Sequence, residues 1–301
     1  MLWTRRTLLA TPLALAAQAK GPLVDTHIHL FADDKKSFPK HPNGTYTPPP
    51  APLESYVKFV KQAGIAHAII VHPEPYQDDH RYLEYCFRNE PSKDFFKGTC
   101  LFDACRADTP KRIDDLMQRW PGRIRALRVH RTNLEALETG AIHDRPLDSP
   151  QMLKTWQAVA DRGLAIQMHF IPAFAKQINA LATKVPKAPV ILDHLGRSGM
   201  GTEAEWQDIL ALAKQPQTVM KFSGINYSSK QPWPYRDVQP RVRQAFQAFG
   251  PDRIIWGGLG MNQDEFRKAN QLFDEFFAFT TEANRDKIRG GNALRIYGWK
   301  S

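Results

Sequence analysis

Two histidines one residue apart, His27 and His29, close the first apolar run of the chain, and His72, His130, His169 and His194 close later ones. Imidazole is the one side chain that donates, accepts, binds metals and titrates near neutral pH, so six of them at corresponding places read as a reaction centre. Side chains of a strand alternate with a period of two. Asp25, His27 and His29 therefore share one face, and Val24, Thr26 and Ile28 the other, which suits a helix layer. Arg128 and His130 share a face in the same way, as do Gln167 and His169. Buried imidazoles need a partner, either a metal, an acid or a bound anion. The His-x-His spacing supplies two adjacent nitrogen donors, as a zinc-type divalent cation requires. His67, His80 and His143 lack such placement and read as satisfied core residues.

The elements that carry these residues alternate regularly. Short apolar runs at Leu23–Leu30, His67–His72, Lys97–Asp103, Ile124–His130, Leu164–His169, Val190–His194, Thr218–Gly224 and Arg253–Gly257 predict eight strands. Amphipathic stretches between them carry helix punctuation: Val57 to Val60 ending at Gly64, Ser149-Pro150 with Gly163 closing, and a capping box from Thr202 to Glu205. Eight such units in one domain predict an α/β fold, a (β/α)8 TIM barrel, over an open doubly wound sheet. The first strand lacks the glycine-rich phosphate loop of dinucleotide folds. One long connection, residues 31–53, holds six prolines up to Pro52 and leaves the C-terminal end of the first strand. Barrel active sites are built at that end, so the segment reads as a lid.

Composition excludes several classes. Of 301 residues, 42% are hydrophobic and 24% charged, which rules out a disordered or collagen-like chain. Three cysteines without a CxxC pair exclude a disulfide scaffold; free thiols are expected, with Cys100–Cys105 as the one pairing export would permit. The net charge of +10 is spread singly, which points to a small anionic substrate and away from nucleic acid. No GxSxG elbow marks a serine nucleophile. Arg5-Arg6, an apolar run to Ala17 and the small residues of Ala17-Gln18-Ala19 read as a twin-arginine-type signal over residues 1–19. That predicts export to a bacterial periplasm, with residues 20–301 forming the barrel and no membrane span after the signal.

The segments VDTHIHLF, ILDHLGRSG, VMKFSGINY, AFGPDRIIWG and GGNALRIYGW, in this order from Val24 to Trp299, resemble the amidohydrolase superfamily. Within it they resemble the lactonase branch, with 2-pyrone-4,6-dicarboxylate hydrolase and sugar-acid lactonases. The resemblance implies a hydrolase acting on a lactone or related cyclic ester of an acidic sugar or dicarboxylate. His27, His29, His169 and His194 would polarise the carbonyl, directly or through a metal held by His27, His29 and His169. The branch implies either no required cofactor or one zinc-type divalent cation. Arg128, Arg197 and Lys221 would hold substrate carboxylates, with His72, His130 and Asn262 also on the substrate side.

The strand-eight segment departs from the family pattern. Family members end that strand in WG(S/T)DWP, whose aspartate activates water; here Leu259 follows Trp256-Gly257-Gly258. Leucine takes no proton, and a general base contributes ~10²–10⁴-fold. Three readings stand: hydrolysis with a relocated base (Glu74, Asp103 or a histidine), a lactone isomerase or proton-transfer enzyme, or a non-catalytic protein that binds a small molecule in the same pocket.

Overall fold

The computed structural model describes residues 21–260 and 262–299. The predicted signal, residues 1–19, lies outside the described residues. Eight strands are present: β1 Leu23–Ile28, β2 Ile65–Val71, β3 Phe96–Cys100, β4 Ile124–Arg131, β5 Ala165–Phe170, β6 Val190–Leu192, β7 Thr218–Phe222 and β8 Ile254–Trp256. Parallel ladders join each strand to the next from β1 to β8. The main helices between and after them are α1 Leu53–Ala63, α2 Arg81–Arg88, α3 Thr109–Arg119, α4 Pro150–Asp161, α5 Ala175–Lys184, α6 Glu203–Ala211, α7 Gln239–Phe249, α8 Gln263–Phe276, α9 Glu282–Asp286 and α10 Asn292–Tyr297. This is a single-domain (β/α)8 barrel, nearly closed. At the seam between β8 and β1, Thr26 Oγ1 donates to Trp256 O at 2.6 Å and the Gly258 amide donates to Asp25 Oδ1 at 2.9 Å.

The local signals act where the sequence puts them. Ser149 accepts from the Gln151 amide at the start of α4, and the Thr202–Glu205 capping box opens α6. Gly64 ends α1 with φ +68°, a conformation that costs glycine little. Among the described residues no helix is long and apolar enough to cross a membrane. All three cysteines are free, with Cys100 Sγ set toward Ala126 O at 3.5 Å rather than toward Cys105.

The core has two layers. Met168, Leu192, Met220, Phe222 and Trp256 pack outward against the helices. Ile69, Ala126, Ile191, Val219 and Ile255 point inward and are plugged from below by Ala293, Tyr297 and Trp299. Val24 belongs to this inner cluster while Ile28 belongs to the outer one. The expected alternation through β1 is therefore corrected. The β1–β2 register shifts between Asp25 and Ile28, and the extra residue exchanges the two faces part-way along the strand. Without that shift an inward Val24 would have sent His27 outward.

Two long connections cover the C-terminal mouth. The 31–53 segment is closed at its neck by a bridge between Phe31 and Ala51, and its Thr45 amide donates to both Glu74 oxygens at 3.1 Å. A second loop, residues 132–149 between β4 and α4, is folded around the buried Asp144.

Candidate active site

Asp193, immediately after β6, is the electrostatic centre of the mouth and has no exposed surface. Lys221 of β7 sets Nζ 3.2 Å from its Oδ1, and Arg128 of β4 donates to its Oδ2 from Nε at 3.3 Å and Nη2 at 3.1 Å. Gln167 of β5 adds a third donor at 3.1 Å. Burial pushes this carboxyl up, but the Lys221 and Arg128 cations outweigh burial and hold it well below the usual carboxylate range. A fully buried lysine needs an anion, and Lys221 has found one inside the protein; it also donates to Thr26 O at 3.0 Å. It lies beneath the cavity lining, not in it.

Above Asp193 the imidazoles form a continuous arc. Ring centroids lie 4.9 Å apart for His29 and His27, 4.6 Å for His27 and His194, 5.2 Å for His194 and His169, and 5.0 Å for His169 and His130. Burial pushes His29 and His194 down to about 3 and holds His27, His130 and His169 well below the ordinary imidazole range. All five are neutral at pH 7. Their tautomers can be read from the partners. His29 Nδ1 donates to Val71 O at 2.8 Å, so its Nε2 carries a lone pair, and His27 Nε2 donates to that lone pair at 3.2 Å. His27 Nδ1 is then left as a bare acceptor, without a hydrogen bond and 3.6 Å from Asp193 Oδ1. Both nitrogens of His169 and Nε2 of His130 also lack hydrogen-bond partners among the described residues.

A cavity of about 360 Å3 opens over this arc, lined by His29, His130, His169, His194, Arg128, Arg197, Glu74 and Leu259. Thr45 and Tyr46 of the 31–53 segment, Thr132, Asn133 and His143 of the second loop, and Tyr227 complete the wall. Arg197 has no carboxylate within ion-pair distance among the described residues; its guanidinium lies over the Tyr227 ring, 4.5 Å from the centroid. Burial lowers its hold on the proton, so an anionic ligand would stabilise it.

Arg197 and His194 owe their aim to a left-handed turn. His194, Leu195, Gly196 and Arg197 have φ of 57°, 51°, 61° and 51°. Left-handed backbone costs roughly 1–2 kcal/mol for each non-glycine residue, and such strain persists only where packing over-determines it. Here a Cβ on Gly196 would meet Ile209 at 2.8 Å, and a Cβ on Gly199 would collide with Ser228 O. His194 Nδ1 pairs with Ser223 Oγ at 2.9 Å.

Three other sequence candidates, Asp103, His72 and Asn262, lie elsewhere. Asp103 is not on the cavity wall; it pairs with Arg145 at 2.9 Å and accepts from the Cys105 amide. His72 is buried beside β2, stacked 4.3 Å from His80 and bonded to Gln77 O. Asn262 caps α8 through Oδ1, which accepts from the Asp264 and Glu265 amides. Glu74 reaches the cavity, with its oxygens accepting from Thr45 N and Gln77 Nε2. Sequence reasoning missed Asp193 as the hub, although it opens the DHLGR motif. It also passed over His143, whose Nδ1 lies 2.7 Å from Asp144 Oδ2. The length of the 132–149 loop was the available signal.

Leu259 sits on the wall with φ +55°, and its amide donates to His27 O at 3.2 Å. The family model described as Amidohydrolase matches residues 24–299. The chain belongs to the amidohydrolase family. This amidohydrolase is 27% identical over 284 residues to a 4-sulfomuconolactone hydrolase of Rhizobium radiobacter, covering 91% of this chain and 89% of that one. It is 26% identical over 245 residues to a D-galactarolactone isomerase of Agrobacterium fabrum, covering 78% and 74%. In fold it matches a probable 2-pyrone-4,6-dicarboxylic acid hydrolase of Acinetobacter baumannii solved with citric acid. That match has a TM-score of 0.70 at 20% identity and covers 92% of this chain and 99% of that one.

The metal ligands implied by the sequence were His27, His29 and His169. Among the described residues, the group that brings one ligand atom each within 4.8 Å of the others is instead His27, Asp193 and His194. The bare His27 Nδ1 facing Asp193 Oδ1 is a donor set compatible with a divalent cation. Lys221 and Arg128 already share that carboxylate, so an entering ion would compete with both.

Proposed function

We propose that this amidohydrolase opens a lactone or related cyclic ester of an acidic sugar or dicarboxylate. The observation that carries the reading is Arg197: a half-buried cation, unpaired by any carboxylate among the described residues, on the wall of a cavity that it shares with His29, His169 and His194. A guanidinium fork takes a carboxylate or sulfonate in a planar, two-point contact. Neutral imidazoles can donate N–H to a carbonyl oxygen as charge develops on it, and do so best in a dry, pre-organised site. His169 and His194 would be the donors, and beneath them Lys221 and Arg128 outnumber the one carboxylate of Asp193, leaving a net positive charge. About 360 Å3 is enough for a small cyclic acid. The two relatives named above are each named for a lactone, which supports the same substrate class.

A divalent cation, where bound, would be held by His27, His194 and Asp193 and would supply carbonyl polarisation. Substrate orientation and exclusion of water come from Arg197, Tyr227 and the 31–53 segment whichever way the carbonyl is polarised. Lactone isomerisation is the second reading, favoured by Leu259 and by the isomerase relative. It uses the same carbonyl polarisation but moves a proton instead of adding water.

The test is proton release from 4-sulfomuconolactone and D-galactarolactone in a weakly buffered indicator assay, with products followed by NMR. Acid release with ring opening is the expected result. Solvent deuterium entering the substrate without net acid would establish the isomerase. Ligand-induced stabilisation with no turnover would reduce the protein to a binding module and overturn the enzymatic reading.

A further inference from the structure

We propose that His143, held by Asp144, is the general base that activates the attacking water, doing the work that Leu259 cannot. This assignment deepens the lactone-opening reading and rests on it. His143 lines the same cavity as His29, His169 and Arg197, with 15% of its side chain exposed. Asp144, next in sequence, is wholly buried and lies 2.7 Å from His143 Nδ1.

The aspartate is unusually well fixed. Its Oδ1 accepts from the Thr132 and Asn133 amides, and Asn133 Nδ2 and His143 share Oδ2. Its backbone amide donates to His130 O at 3.0 Å, which ties the loop to the end of β4. Burial alone would raise this carboxyl, but the bonds from His143, Thr132 and Asn133 outweigh it and keep the group ionised. An ionised carboxylate only accepts, so the proton of the pair belongs to His143 Nδ1. In the neutral imidazole the lone pair is then on Nε2. A buried carboxylate behind Nδ1 fixes the tautomer and stabilises the imidazolium that forms when Nε2 takes a proton.

Adjacent residues seldom form such a pair, because neighbouring side chains point apart. Here Asp144 has φ +56°, and that left-handed turn carries its carboxylate back beneath the preceding imidazole. Aspartate tolerates this conformation better than most residues, yet it persists only where the surroundings enforce it. Among the described residues of the arc, the imidazole that approaches a carboxylate is His27, whose Nδ1 lies 3.6 Å from Asp193 Oδ1, and His27 is off the cavity wall. His27 and His29 spend Nε2 on each other, and His194 pairs with a serine hydroxyl.

In the step assigned, His143 Nε2 removes a proton from water as the water oxygen bonds to the lactone carbonyl carbon. The carbonyl electrons move onto its oxygen and are held by the imidazole donors. When they return, the ring C–O bond breaks, and the proton on His143 passes to the departing alkoxide. Lactone and water give one hydroxy acid, with the base restored. His143 is thus a catalytic residue and Asp144 a positioning residue.

The experiment compares wild type, His143→Gln, His143→Ala and Asp144→Asn in the full chain, using the lactone turned over in the proton-release assay. His143→Gln is expected to lower kcat by ~10²–10⁴-fold with KM changed only a few-fold, and added imidazole should restore part of the rate to His143→Ala. Asp144→Asn should lower kcat while leaving KM in place, because it releases the tautomer without touching the substrate. His143→Gln retaining kcat within about threefold of wild type would overturn the assignment while leaving the lactone reading intact. A wild type inert to both lactones would overturn both. Proton–nitrogen NMR of the wild type supplies a measure independent of variant folding. The His143 Nδ1 proton must be present, and its absence would also refute the dyad.

Discussion

In the proposed reading recognition turns on Arg197, the guanidinium of the cavity that has no carboxylate within ion-pair distance among the described residues. Arg197→Ala is therefore expected to raise KM for an anionic lactone at least tenfold, about 1.4 kcal/mol of lost binding, and to change KM for a neutral lactone little. Steady-state kinetics on a charged and an uncharged lactone check this; equal effects on both would mean that Arg197 supports the wall rather than the substrate. Single residues were readable in the sequence where chemistry and strand position coincided, as at His27, His29, His169 and His194, while Arg197 came only with the family resemblance of the DHLGR motif. The partners of charged groups were not. Nothing in the sequence says that Lys221 and Arg128 would converge on Asp193, since that contact joins strands 28 to 65 residues apart through the barrel interior. His143 was passed over for a related reason, as its role depends on the sign of one dihedral angle at Asp144.

At the scale of elements, the turns after β6 and β7 decide where the imidazoles point. Gly224, at the end of β7, has φ +53°, and a Cβ there would lie 2.5 Å from His194 Nδ1. Gly224→Ala is accordingly expected to push His194 off Ser223 and to strain the turn, with a stability loss of roughly 1–3 kcal/mol and kcat lowered by at least tenfold. Thermal melting and kcat measured on the same preparation check both parts; a variant with wild-type values would show that His194 need not hold this position. Strands, helix caps and the barrel order were legible because each rests on local propensity or on a period of two or 3.6. The register shift within β1 was not, because an extra residue leaves no compositional mark, and it alone corrected the placement of Val24. The left-handed turn of His194–Arg197 was equally silent: only Gly196 of the four favours it by type.

For the whole molecule, the consequence of burying so many imidazoles is acid sensitivity. His80, 5% exposed, is pushed down to about 3 by burial, and His72 beside it is also held well below the ordinary range. In the unfolded chain both would take protons near pH 6.5. The unfolded state thus binds more protons below that pH, so stability present above pH 6.5 is lost as the pH falls. Each such group contributes at most roughly 2 kcal/mol between pH 6.5 and pH 5. Asp25, raised to about 7 by burial, acts in the opposite sense, gaining stability as the pH falls. One carboxyl stands against the several imidazoles of the arc and the His72–His80 pair. The melting temperature is therefore expected to drop between pH 7 and pH 5, and a flat or rising profile would show that these imidazoles are not buried neutral.

The proposed lactone opening proceeds although strand eight offers Leu259 in place of an acid. Position 259 already has left-handed backbone, where aspartate is better tolerated than leucine, so Leu259→Asp should fold without added strain. The most direct measurement is proton release from the two lactones by wild type and Leu259→Asp side by side. Clear wild-type turnover is expected, with the aspartate variant giving no more than a modest gain. A silent wild type beside an active Leu259→Asp would contradict it, for then the pocket would have kept its substrate and given up its chemistry.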